Sequence, residues 1–133
     1  MPPRITLLVD ATGVGMSAVD ILRDALVGGR CRLIPVTFTH GDRLTEVNRE
    51  LRLGKAFLVS RLWALFQTAR LELPADHPEA AAMARELRDF ELKADPNGDL
   101  KFGAFKVGTH DDLVTALGLA VLIDPGGRGA WSV

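Results

Sequence analysis

Apolar residues along this chain change period several times, and each change marks a predicted element. Ile5 to Val9 form a short, nearly continuous apolar run that ends at Asp10. Such a run predicts a strand buried on both faces, parallel by preference. Ala11-Thr12-Gly13-Val14-Gly15 follows as a tight turn. From Met16 to Val27 the apolar positions Val19, Leu22, Ala25 and Leu26 recur at helical spacing, and Gly28-Gly29 stops the helix. Arg30 to Thr39 is rich in β-branched and apolar residues and predicts a second strand, with Pro35 suggesting an edge or a bulge. Strand, helix and strand in this order form a βαβ unit, whose strands are parallel and joined by a right-handed crossover.

The pattern then turns polar. Gly41 to Gly54 is charged and leaves room for a short strand around Leu44 to Val47. Lys55 to Thr68 predicts a helix with Phe57, Leu58, Leu62, Leu65 and Phe66 on its buried side. Trp63 and the phenylalanines are read as core residues rather than base-stacking platforms. Leu71 to Leu73 predicts a one-turn strand closed by Pro74. Pro78 opens a helix that runs through Ala80, Met83, Ala84 and Leu87 to about Asp89, at a position where its missing N–H costs nothing. Phe90 to Ala94 and Lys101 to Phe105 flank Asp95-Pro96-Asn97-Gly98-Asp99, the signature of a β-hairpin. Thr109 is placed to cap a last helix from His110 to about Ile123. The expected organisation is one α/β domain over residues 1–124, followed by a flexible, glycine-rich tail over 125–133.

Composition narrows the classes of function. The chain has 133 residues, 47% apolar and 25% charged, which suits one soluble domain with one core. Its formal charge of -1 gives no bulk attraction to nucleic acid, so any such contact needs a local basic face. Arg43, Arg49, Arg52, Lys55, Arg61 and Arg70 supply one cluster of that kind, which by default is a solvated surface. A single cysteine, Cys31, cannot form an intrachain disulfide and reads as structural. The opening Met-Pro-Pro-Arg lacks a signal-peptide layout, and no apolar run approaches the ~20 residues of a bilayer span. A cytoplasmic protein without a membrane association is expected.

Two acidic positions stand out as candidate chemistry. Asp10 ends a strand before a glycine turn, where ligands collect in open α/β sheets, although the same residue also suits capping of the turn itself. Asp111 and Asp112 open the last helix, where carboxylates are favoured by the helix dipole in any case. If the two positions converge, their hard oxygens suit Mg²⁺ or Mn²⁺. His110 is placed either to join them, to touch a phosphate, or simply to begin the helix. Lys55 and Arg61 are candidate phosphate contacts whose default is a surface role, as is that of Glu86. Gly13-Val14-Gly15-Met16-Ser17-Ala18 fits a loose dinucleotide pattern, but no acid follows the second strand until Asp42, so the fit is weak. A P-loop is excluded because no Gly-Lys-Ser/Thr follows.

The order of these motifs resembles the C-terminal nuclease domain of phage terminase large subunits, a member of the RNase H-like superfamily. The likeness is carried by Val9-Asp10-Ala11-Thr12-Gly13-Val14-Gly15, Pro35-Val36-Thr37-Phe38-Thr39, Lys55-x-x-Leu58-Val59, Glu86-Leu87-x-x-Phe90 and His110-Asp111-Asp112-Leu113-Val114-x-Ala116-Leu117. It runs from about Arg4 to Ile123, with the first and last motifs the most specific. The resemblance implies a DNA-cutting site in which three acids hold two divalent metals. Asp10 then matches one acid, and Asp111 or Asp112 another. It also implies that the first acid belongs to an antiparallel meander ahead of the βαβ unit, whereas only Met1, Pro2 and Pro3 precede Arg4 here. The expectation is therefore a partial RNase H-like fold supplying two strands of a five-stranded sheet, with little or no nuclease activity unless Glu86, Asp42 or another subunit replaces the absent acid. The uncovered sheet edge would invite a second copy or an upstream terminase fragment. A binding or assembly protein that reuses the fold without chemistry is the alternative.

Overall fold

A computed structural model of the chain describes residues 5–13, 15–26, 28–94, 100–103 and 111–123. The predicted Asp95–Asp99 turn, Thr109, His110 and the tail from Asp124 lie outside the described residues.

The first three predicted elements are present as β1 (Ile5–Asp10), α1 (Gly15–Ala25) and β2 (Cys31–Thr39). β1 and β2 are parallel in an unbroken register from Ile5↔Cys31 to Asp10↔Val36. The polar segment after them contains two strands, not one. β3 (Leu44–Val47) and β4 (Glu50–Gly54) form a hairpin that closes through Asn48 and Arg49, both with positive φ (52° and 65°). Two left-handed residues in a two-residue loop match the twist of the strands they join. β4 then pairs parallel with β2 from Val36↔Leu51 to Thr39↔Gly54, giving a four-stranded mixed sheet in the order β1-β2-β4-β3. Three of its strands are therefore parallel, where two were expected. The alternation that marks β4 is short: Leu51 and Leu53 are buried while Arg52 between them is exposed.

Helices α2 (Lys55–Gln67), α3 (Ala80–Asp89) and α4 (Asp112–Ala120) follow, with a separate hairpin of β5 (Glu91–Ala94) and β6 (Leu100–Gly103) between the last two. Leu71 to Leu73 pair with no strand among the described residues, which corrects the expected one-turn strand there, although Leu71 still packs against the core. In register, Leu8, Ile34, Val36, Leu51 and Leu53 lie on one face of the sheet. That face meets Leu58 and Leu62 of α2 and Val114, Leu119 and Leu122 around α4, forming the main core. α1 packs against β2 and buries Val19, which lies outside this cluster.

Three further expectations are corrected. Among the described residues β1 pairs only with β2, so the strand read as buried on both faces is an edge strand there and leaves Ile5 67% exposed. Trp63 is 65% exposed and Phe66 is also on the surface, because α2 turns the side carrying Phe57, Leu58, Val59 and Leu62 inward. Pro35 sits in a strand with neighbours on both sides. Val36 carbonyl and Phe38 N–H both turn toward the β1 side, so alternation directs the nitrogen of Pro35 toward β4. The β4 ladder begins one residue later, at Val36, so the missing N–H costs no ladder bond.

α2 begins directly after β4, at a point where the loop from β2 passes over the end of β4. Gly54 N–H donates to the Arg43 carbonyl at 2.7 Å, and a Cβ at Gly54 would lie 2.0 Å from the Gly41 carbonyl oxygen. Gly54→Ala is expected to lower stability by at least the roughly 1–3 kcal/mol of an overpacked site, because the colliding atoms are backbone. Gly41→Ala, whose Cβ would meet only Thr39 Oγ1 at 3.7 Å, should cost far less. Urea denaturation midpoints of the two variants check this.

Candidate functional site at the carboxyl end of the sheet

Because β1, β2 and β4 are parallel, their carboxyl ends at Asp10, Thr39 and Gly54 lie along one edge of the sheet. Asp10 occupies the end of β1, in register with Val36 and on the core face. Its side chain is exposed and organises the turn that follows. Oδ1 accepts the Thr12 N–H at 2.9 Å and the Thr12 hydroxyl at 2.5 Å. The Thr12 hydroxyl oxygen in turn accepts the Phe38 N–H at 3.0 Å, and Ala11 N–H donates to the Val36 carbonyl at 2.8 Å. The strand end is therefore tied to β2 through a carboxylate–hydroxyl–amide chain, an Asx-type turn extended across two strands.

Lys55, the first residue of α2, is half-buried at the same edge, with Nζ 5.7 Å from the centroid of the Phe38 ring. That separation is within cation–π range, so the ring holds the ammonium close to the end of β2.

The direction of α4 brings in the remaining acids. A Cβ at Gly118 would lie 2.4 Å from Cγ of Leu58, so the two helices touch there. Three residues further along each helix, Arg61 Nε donates to the Val121 carbonyl at 2.9 Å. Two contacts advancing together mean that α2 and α4 run in the same direction. α2 starts at the carboxyl edge, so α4 starts there too, and α4 packs against β1. Asp111, half-buried, and Asp112, exposed, thus belong to the same end of the domain as Asp10 and Lys55.

Arg61 belongs elsewhere. It neutralises the carboxyl terminus of α4, about 14 Å along the helix from Asp112, and its guanidinium is committed to a main-chain carbonyl. His110 lies outside the described residues. Glu86 has a role that sequence reasoning missed. Oε2 accepts the N–H groups of Leu113 at 2.7 Å and Val114 at 3.3 Å, so a carboxylate from α3 caps the amino terminus of α4. Nothing local signals this, because the partners are 27 and 28 residues apart. Thr12 was also overlooked as more than a turn residue.

The donors at this edge are hard oxygens, the type that suits Mg²⁺ or Mn²⁺. Among the described residues, however, no three Asp, Glu, His or Cys side chains converge as a metal-binding group. A two-ion clamp needs more ligands than Asp10 and one helix-start acid can supply. No helix among the described residues is long and apolar enough to cross a membrane. No protein-family model, curated protein or solved structure matches the chain.

Glu86→Ala removes the acceptor of two helix-terminal N–H groups and should destabilise the domain by roughly 1–2 kcal/mol. Glu86→Gln keeps an acceptor oxygen and should lose less. Thermal unfolding ranks the variants, and faster amide exchange at Leu113 and Val114 in Glu86→Ala localises the effect.

Proposed function

We propose that this chain is a homologue of the nuclease domain of phage terminase large subunits, with an RNase H-like fold whose described residues supply too few acids for efficient DNA cutting. The observation that carries the reading is that Asp10's strand end and the first turn of α4 lie at the same end of the parallel sheet. That is the arrangement the resemblance assigns to acids holding Mg²⁺ or Mn²⁺ against a DNA phosphodiester. Asp10 and either Asp111 or Asp112 would hold the cation, and Lys55 at the same edge would face the phosphate. A bound cation would supply charge neutralisation and an activated water. Two acidic positions by themselves would hold a cation weakly, and cleavage by them alone would be slow or absent. DNA is the partner this reading implies, in a bacterial or phage-infected cytoplasm.

A second reading, a binding or assembly protein without chemistry, is favoured by one specific feature. Oδ1 of Asp10 is already engaged by both donor groups of Thr12, as a purely structural turn residue would be.

Titration with Mn²⁺ separates the two. Paramagnetic broadening of the Ala11–Thr12 and Leu113–Val114 amides together is expected, and Asp10→Asn should weaken it at both sites at least tenfold in apparent affinity. Broadening at neither segment would leave only the second reading. Plasmid cleavage in Mn²⁺ by these residues alone should be marginal; robust cutting abolished by Asp10→Asn would mean that further acids complete the site, while keeping the family.

A further inference from the structure

The two edges of the sheet are guarded to different degrees. β3 is four residues long, carries Glu46, and is bounded by Asp42-Arg43 on one side and the left-handed Asn48-Arg49 turn on the other. Charge and strong local twist are standard protection against adding another strand. β1 is less guarded, its one charge being Asp10 at its carboxyl end. Ile5-Thr6-Leu7-Leu8-Val9 contains no charge, no proline and no glycine, and its register with β2 advances one residue at a time without a bulge.

Hydrogen-bond parity identifies which backbone groups face outward. Ile5 N–H donates to the Arg30 carbonyl at 3.0 Å and Ala11 N–H to the Val36 carbonyl at 2.8 Å. Odd-numbered residues of β1 therefore turn toward β2, and Thr6, Leu8 and Asp10 direct their N–H and C=O groups to the other side. No strand among the described residues pairs there. The side chains of Ile5, 67% exposed, and Leu7, 37% exposed, flank the same edge.

We infer that this edge is an interface and that its occupant is β1 of a second copy, added antiparallel with Leu8 opposite Leu8 of the partner subunit. That register matches every outward group. Thr6, Leu8 and Asp10 face Asp10, Leu8 and Thr6 of the other copy, so all three positions become hydrogen-bonded pairs. Shifting the register by two residues leaves an outward residue at each end beyond its counterpart. The side chains agree with the same choice. Leu7 lies opposite Val9 on one face, and on the other face each Thr6 hydroxyl lies opposite an Asp10 carboxylate. A parallel pairing in register would set Asp10 against Asp10, two like charges directly opposed. The antiparallel pair is two-fold symmetric, so it closes as a dimer and does not propagate, joining two four-stranded sheets into one of eight strands. This inference is independent of any metal or nuclease role.

Sedimentation velocity over a concentration series, with amide exchange by NMR, tests it on the intact chain. The wild type should sediment as a dimer whose Thr6, Leu8 and Asp10 amides are protected and lose protection on dilution. Thr6→Pro removes an outward N–H and leaves the β1–β2 ladder untouched, so it should give a monomer with an unchanged circular dichroism spectrum. Thr6→Lys, a charge on the edge, provides a second disrupting variant should proline unfold the strand. Thr6→Val keeps the dimer. A wild-type monomer at all concentrations overturns the inference. So does a dimer that survives both disrupting variants, and so does protection of these amides that is insensitive to dilution, which would mean another segment of the chain covers the edge.

Discussion

The seating of Leu58 against Gly118 is the contact on which the arrangement at the carboxyl edge depends. A side chain at position 118 would overlap Leu58, so only glycine lets α2 and α4 approach this closely. Together with the Arg61–Val121 bond three residues further on, this approach fixes their relative direction, and direction decides which end of α4 joins the ends of the parallel strands. With α4 reversed, its acidic first turn would lie at the opposite end of the sheet from Asp10. A packing constraint between two apolar surfaces thus governs the placement of polar groups some turns away.

Electrostatics reinforces that placement at both poles of α4. Glu86 supplies negative charge to the amino end and Arg61 positive charge to the carboxyl end, each opposing the sign of the local helix dipole. These residues come from two different helices, α3 and α2, so α4 is held between them as well as against the sheet. Arg61 illustrates a general ambiguity in reading basic residues. In a sequence it is one member of a cationic cluster, and only its position opposite a helix terminus distinguishes a cap from a ligand contact.

How much was legible in the sequence follows from the range of the interactions involved. β1, α1, β2 and α3 were readable because each is specified by local periodicity and by breakers such as Gly28-Gly29 and Pro78. The start of α2 at Lys55 was readable for the same reason. β4 was not, because its signal is two leucines flanking one arginine inside a charged segment, and its turn uses Asn48-Arg49 in place of a glycine. The exposure of Trp63 was equally hidden: helical spacing gives several possible faces, and tertiary packing chose the one through Leu58 and Leu62. At the candidate site, the strand-end position of Asp10 was visible and its bond to Thr12 was anticipated as a turn cap. The cap by Glu86 depends on the meeting of two distant helices, and no single-sequence pattern encodes it.

α4 has nine residues, too few for a helix to persist by itself in water. Its existence is lent by Glu86, Arg61 and the apolar surface beneath Val114 and Leu119. The acidic turn at its start therefore has no geometry of its own outside the folded domain. Any ion or polymer gripped there would be coupled thermodynamically to global melting, and heat would dismantle the locus in one cooperative step along with everything that supports it.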